Sequence, residues 1–290
     1  MEHEKYIALL TVLDCSSISG AAKKLGYTTS GISRMIQSLE DENGFLLLHR
    51  SRDGITATKE CEALLPEIRS FVRCGEILRQ KAGALSGTET GRVRIGTAYS
   101  AFYEALSSLT KAFSTEHPGI QVEFMTGFST DLAERIRGGE LDMAIISRRG
   151  ELPWVQLLRD PMVAAVPANL QTADVNTVPH TVFTDEPYIE IYPGEDSDNR
   201  RFLKKYGITP DVRFTTTDSL AGCAMVNAGL GTALNNRLNV LLWNGNHRIL
   251  MLDPPEYVDI GIAASAELSP AAEIYLEYLK AHKERLTEVC

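Results

Sequence analysis

Residues Ser17 to Glu40 read SISGAAKKLGYTTSGISRMIQSLE, and the fold of the N-terminal third turns on this stretch. Ser19 is placed to cap a short helix holding Ala21, Ala22 and Leu25, and Gly26 just past its end supplies a left-handed cap. A second helix begins around Thr28 or Thr29 and sets Ile32, Met35, Ile36 and Leu39 on one face. Two short helices joined by a tight turn need glycine at the turn and a small residue where they cross. Ala22 stands four residues before Gly26, and Ile32 and Met35 stand six and nine after it, the spacing of a helix-turn-helix. An ordinary helical hairpin inside a larger core is the competing reading.

Working outward, the apolar positions Tyr6, Ile7, Leu9, Leu10 and Leu13 predict a preceding helix. Downstream, Gly44 ends the helix, and Phe45–His49 with Gly54–Ala57 predict two short strands around Ser51-Arg52-Asp53, the layout of a wing. The exposed helix start (Thr28, Thr29, Ser30, Ser33 and Arg34) and the wing cations Arg50 and Arg52 are the candidate contacts to double-stranded DNA. A merely solvated turn is the alternative for the wing.

Beyond Thr58, a candidate cap, Cys61, Leu64, Ile68, Phe71, Gly75, Leu78, Ala82 and Leu85 alternate spacings of three and four. A helix from Lys59 to Leu85 would span roughly 40 Å at 1.5 Å per residue. Leu64, Ile68, Phe71, Leu78 and Leu85 are the candidate dimer seam, interrupted by Pro66 and Gly75. Packing on its own chain is the alternative. Two DNA-binding heads held by such a seam would read an interrupted palindrome.

Ser86 to Gly91 is small and polar, a linker. Strands and helices then alternate: Val93–Gly96, helix Ala101–Glu116, Gln121–Met125, helix Thr130–Gly138, Met143–Ile146 and Met162–Val166. A second set comprises Tyr188–Tyr192, helix Asp198–Tyr206, Val212–Thr215, helix Ser219–Ala228, Thr232–Leu234 and Asp259–Ala263, before a closing helix Pro270–Glu288. The pattern predicts α/β lobes with mostly parallel strands and ligand space in the crevice between them. The expected division is residues 1–58, a winged helix-turn-helix; 59–91, a linker helix and hinge; and 92–290, a two-lobed domain. Lobe I would take about 92–163 and 264–290, and lobe II about 164–263.

Composition agrees with a folded globular chain rather than an exported or disordered one. The 290 residues are 44% hydrophobic and 23% charged, with no apolar run long enough to span a membrane and no signal-like N-terminus, so a cytoplasmic location is expected. Of 29 Lys and Arg and 38 Asp and Glu, 11 and 12 fall in residues 1–90, so almost all of the net charge of −9 lies beyond them. Residues 19–59 hold six cations against four anions, a modest basic island. Cys15, Cys61, Cys74, Cys223 and Cys290 are scattered, as are the histidines, so neither a disulfide framework nor a metal site is expected, and no cofactor. Nucleotide-hydrolase, serine-hydrolase and zinc-protease motifs are absent. A two-lobed enzyme using Asp142 or Asp218 is the alternative, but a helix-turn-helix, wing and heptad helix would be surplus to it.

Over essentially its whole length the chain resembles the LysR-type transcriptional regulators. Ser17-Ile18-Ser19, Ala21-Ala22, Leu25, Ile32-Ser33-Arg34, Ile36, Leu39-Glu40, Gly44 and Arg50 resemble the family's DNA-binding signature. Arg94-Ile95-Gly96, His117-Pro118, Gly139 to Ile145 and Ala228 to Gly231 resemble its effector domain. The resemblance implies an α/β fold with an all-α winged N-terminal domain and a two-lobed, periplasmic-binding-protein-like effector domain. It further implies a small-molecule effector met by Ser100 and Ser129, self-association to a dimer and tetramer, and RNA polymerase as a partner; Ser147, just past the strand Met143–Ile146, and Thr217, before the helix of the second lobe, are further effector candidates by position. Three positions depart from the family pattern: Thr29 for a usual glutamine, which shortens base readout, Cys61 for glycine, and Asn235-Asn236 where proline is common.

Overall fold

Helix α1 (Glu2–Cys15) ends where Ser16 adopts a φ of +47°, which throws Ser17 into an extended conformation with φ −160°. In the computed structural model, which describes residues 2–51, 54–86 and 89–288, the Ser17 hydroxyl therefore accepts the Gly20 N–H at 3.2 Å. Helix α2 (Ile18–Leu25) thus begins at Ile18, earlier than a Ser19 cap would place it. Gly26, at φ +72°, closes α2 on the Ala22 carbonyl, and the Thr28 hydroxyl caps α3 (Thr29–Asn43) by accepting the Gly31 N–H at 3.0 Å. Ala8, Leu9, Val12, Ala21, Ala22, Ile32, Ile36 and Leu39 form the buried centre of these three helices.

The wing differs from its predicted register. Strands β1 (Leu48–Ser51) and β2 (Gly54–Ala57) pair antiparallel, so the first strand starts at Leu48 instead of Phe45. The reason is local: the Glu40 carboxylate accepts the N–H groups of Leu47 and Leu48 at 2.8 and 3.3 Å, tying the lead-in to the end of α3. Arg52 and Asp53 at the wing tip lie outside the described residues, as do Gly87 and Thr88 of the expected linker and Cys290.

Helix α4 (Lys59–Leu85) starts on a Thr58 cap that accepts the Cys61 N–H at 3.1 Å, and it continues through Pro66. The expected seam is divided. Cys61 and Ile68 are buried in the core of the preceding helices, and Leu64 packs against that core, so Leu64 and Ile68 are occupied within their own chain and do not form an open seam. Phe71, Leu78 and Leu85 stay exposed, at 46%, 69% and 92%. Gly75 is not a gap left for a partner: a Cβ there would fall 2.1 Å from His3 Nε2, whose ring donates to the Val72 carbonyl at 2.9 Å.

By contacts the chain divides into two units, residues 1–90 with 137–140, and residues 91–136 with 141–290. The second begins with β3 (Gly91–Thr97), a 3-10 turn at Ser100–Phe102, α5 (Tyr103–Glu116), β4 (Ile120–Thr126), α6 (Ser129–Arg137) and β5 (Met143–Ser147). It continues through β6 (Trp154–Pro167), β7 (Thr177–Pro179), α7 (Val182–Asp185), β8 (Tyr188–Ile191), α8 (Asp198–Tyr206), β9 (Val212–Thr216) and α9 (Ser219–Asn227). It ends with β10 (Ala233–Asn236), α10 (Arg237–Val240), β11 (His247–Asp253), β12 (Tyr257–Ala264), α11 (Pro270–Ala281) and α12 (Lys283–Thr287). The single predicted closing helix is thus two, parted at His282.

The main sheet has the order β4-β3-β5-β12-β6-β11-β7, with β10 also on β6, and β8 pairs β9 beside it. The expectation of mostly parallel strands is corrected. β4, β3 and β5 are parallel, as are β8 with β9 and β11 with β7, but β6 and β12 run antiparallel to their neighbours. One long strand explains this. The first part of β6, to Pro161, pairs with β12, and its second part, Met162 to Pro167, pairs with β10 and β11. β6 therefore carries the chain from one lobe to the other, and because β12 pairs with β5 and early β6, the return lies near 254–256 rather than 263. The first lobe closes on Val93, Ile95, Phe102, Phe113, Ile145, Ile262 and Tyr275, the second on Ala164, Val166, Phe183, Phe202 and Leu234. No helix among the described residues is long and apolar enough to cross a membrane.

The seating of His3 on Gly75 gives a stability test. Gly75→Ala is expected to gain about 1 kcal/mol of helix propensity in a His3→Ala background and nothing in the wild type, where the methyl displaces the ring. Urea unfolding of the four proteins measures it; equal effects in both backgrounds would contradict the contact.

Candidate functional site

The start of α3 is a polar, exposed corner. Thr28, Thr29, Ser30 and Arg34 are exposed and Ser33 is half-buried, while Ile32 and Ile36 on the opposite face are fully buried and hold the helix in place. The Thr28 hydroxyl is engaged in capping and also bonds the Ser30 hydroxyl at 3.2 Å, so it serves the helix first. Arg50 on β1 is exposed. Seven residues read from the sequence as DNA contacts thus include six whose positions are described, all on the helix start or the wing.

In the second unit a cavity of about 300 Å³ lies between the lobes. Ser100, at the turn before α5, and Ser129, the first residue of α6, both line it. Ser147 does not: it is fully buried behind the wall, where its N–H is held by the Ser129 hydroxyl at 3.1 Å. Thr217, one residue past the end of β9, is exposed and is not part of the lining.

The most polar feature of the wall was not read from the sequence. Asp198, the first residue of α8, points into the cavity with only 10% of its side chain exposed, paired with Arg149 at 2.6 Å. Oδ1 also accepts the Ser147 hydroxyl at 2.8 Å, and Oδ2 accepts the Tyr99 hydroxyl at 2.9 Å. Burial, and next the Asp198 charge, hold the Tyr99 phenol well above its usual range, so it stays a donor. Arg149 in turn donates through Nε to Thr130 at 3.0 Å and through Nη1 to the Arg148 carbonyl at 3.1 Å. The sequence sets Asp198 only at a helix start and gives no partner for it, since Arg149 lies 49 residues away.

Opposite this cluster stand Asn235 and Asn236 at the end of β10, 3% and 2% exposed. Their side-chain nitrogens have no hydrogen-bond partner among the described residues, a costly condition for buried amides. Phe128 and Tyr192 meet edge to face at 4.9 Å across the mouth, and Tyr192 adopts a φ of +61°, a strained conformation for an aromatic residue and one that accumulates at binding sites.

The family models agree with both regions. Residues 4–62 match the bacterial regulatory helix-turn-helix protein, lysR family, and residues 86–284 match the LysR substrate binding domain. The chain belongs to the LysR family of transcriptional regulators. It is similar to the uncharacterized HTH-type transcriptional regulator YvbU of Bacillus subtilis, 24% identical over 93% of this chain and 94% of that one. Its fold is similar to a full-length OxyR variant from Pseudomonas aeruginosa, with a TM-score of 0.75, 19% identity and 100% and 96% of the two chains covered. It is also similar to full-length CbnR complexed with its target DNA, with a TM-score of 0.60, 19% identity and 97% and 99% covered. As a LysR-type regulator with a substrate-binding domain, the chain acts by binding and not by catalysis.

One further group in the LysR fold titrates within reach of neutral pH. Asp160 on β6 is 3% exposed and accepts the Leu238 N–H at 3.1 Å, and burial pushes its carboxyl from 3.8 up to about 7. Because the folded state holds this proton more tightly than the unfolded one, wild-type stability should fall as pH rises from about 4 to about 7. Asp160→Asn keeps the acceptor and loses the charge. Its melting temperature should match wild type near pH 4 and exceed it at pH 8; parallel profiles would contradict the assignment.

Proposed function

We propose that this regulator binds an interrupted palindromic operator as a homodimer and that a small molecule in the inter-lobe cavity sets its affinity or its activating output. Supporting the DNA half, the start of α3 offers exposed hydroxyls and one exposed arginine, with Arg50 on the adjoining wing. The relative CbnR is known with its target DNA bound. The observation that carries the ligand half is the polar inter-lobe cavity of about 300 Å³, whose lining includes Asn235 and Asn236, residues with Nδ2 donors that have no partner among the described residues. Buried donors without a partner are rare in folded proteins, and an entering acceptor is one way to satisfy them.

For self-association we infer that the outer half of α4 forms the contact, because Phe71, Leu78 and Leu85 expose apolar side chains there. A tetramer would pair two such dimers. A cytoplasmic location and contact with RNA polymerase follow from acting at promoters.

The test is a gel shift of the full chain on its own upstream DNA. Arg34→Ala should lose ten- to a hundredfold in affinity, about 1–3 kcal/mol, and blur base preference, whereas Arg50→Ala should weaken all sequences alike and reduce the salt slope by about one. Wild-type behaviour of both would overturn the DNA surface. In light scattering, Leu78→Glu should lower the mass, and an unchanged mass would place the dimer elsewhere.

A further inference from the structure

What a cavity selects is set by the polar groups that its own walls leave over. The cluster around Arg149 is a complete receptor for a small carboxylate: a guanidinium nitrogen at 2.6 Å, a serine hydroxyl at 2.8 Å and a neutral phenol at 2.9 Å. The carboxylate it holds is the chain's own Asp198. We propose that Asp198 is a tethered occupant of the cavity's anion subsite and that the ligand of this cavity is uncharged and rich in hydrogen-bond acceptors.

This inference rests on the cavity being the ligand site and adds its selectivity. A second carboxylate entering the cavity would meet Asp198 at close range with Arg149 already engaged, a like-charge contact that rejects wrong partners. A cation would find no carboxylate on the lining besides Asp198, which Arg149 already matches. The lining also carries Asn235 and Asn236, whose buried Nδ2 donors have no partner among the described residues, and a ligand that draws them out by a side-chain rotation must offer neutral oxygen acceptors: hydroxyl, ether, carbonyl or lactone. Ser100 and Ser219 add hydroxyls that both give and receive, and Tyr103 and Phe128 add ring faces against which a C–H face can lie. A volume of about 300 Å³ sits at the lower end of the usual range for ligand sites. Together these describe a molecule of monosaccharide size, such as a cyclic polyol, sugar or hydroxylated lactone.

Two panels of equal size test it by thermal shift and calorimetry on the full-length protein: sugars, inositols and lactones, and the corresponding sugar acids and hydroxy acids. Wild type should bind members of the uncharged panel, with at least tenfold loss in Asn235→Leu or Asn236→Leu. Asp198→Asn, which keeps the shape and frees Arg149, should gain at least tenfold in affinity for the acids. Asp198→Ala, which empties the subsite, should be stabilised by sodium acetate, relative to sodium chloride at equal ionic strength, where wild type is not. The proposal is overturned if wild type binds the acids more tightly than their uncharged counterparts. It is equally overturned if both Asp198 variants, melting cooperatively, ignore acetate and the acids. Failure of the functional reading looks different: uncharged ligands bind as described, yet operator affinity and transcription in vitro are the same with and without them.

Discussion

The Arg149–Asp198 ion pair is the interaction on which the regulatory half depends. It joins a residue that follows β5 in the first lobe to the first residue of α8 in the second. Buried charges repay their desolvation only when the remaining lone pairs and protons are also matched. Here Ser147, Tyr99 and Thr130 supply the matches. Such a pair adds little net stability compared with apolar packing, but losing one member would strand the other in a poorly solvated site. Its effect is therefore on register: it fixes how the two lobes meet and removes net charge from the cavity they enclose.

The backbone makes that arrangement possible. β6 belongs to both lobes, one part laddered to β12 and the other to β10 and β11, and Pro161 and Met162 mark the change from one ladder to the other. The polar cluster and the Thr130 hydroxyl bond to Asp196 at 3.0 Å close the crevice on one side, and the Phe128–Tyr192 contact closes it on another. Asn235 and Asn236 sit at the end of β10, laddered against Val163 and Met162 where β6 enters the second lobe, so a ligand contact there would bear on the strand that joins the lobes.

Local chemistry was legible in the sequence, and long-range pairing was not. Gly26, Thr28, Gly44 and Thr58 act through their immediate neighbours, and their cap roles follow from residue type and position. The Ser17 cap was missed because it depends on the left-handed turn at Ser16. The seam of α4 shows the limit of periodicity: a repeat of three and four cannot say whether Ile68 meets a partner or its own chain, and here it meets its own chain. β11 was overlooked although Ile249 to Leu252 is a short apolar run of strand length. Ser100 and Ser129, readable as helix starts, line the cavity, whereas Ser147 lies behind its wall and donates to Asp198. Arg149 carried no signal at all, since its partner is distant in sequence and a lone arginine is ordinarily solvent-exposed.

If the ion pair holds the lobes in register, breaking it must change their separation. The direct measurement is a spin-label distance between the exposed positions Lys111 on α5 and Lys204 on α8, labelled through non-canonical residues in the full-length protein, for wild type and Arg149→Met. A single narrow distance in wild type that lengthens and broadens in Arg149→Met is the result expected. Identical distributions in the two proteins would show that the lobes are held by packing alone and that the buried pair does not set their arrangement.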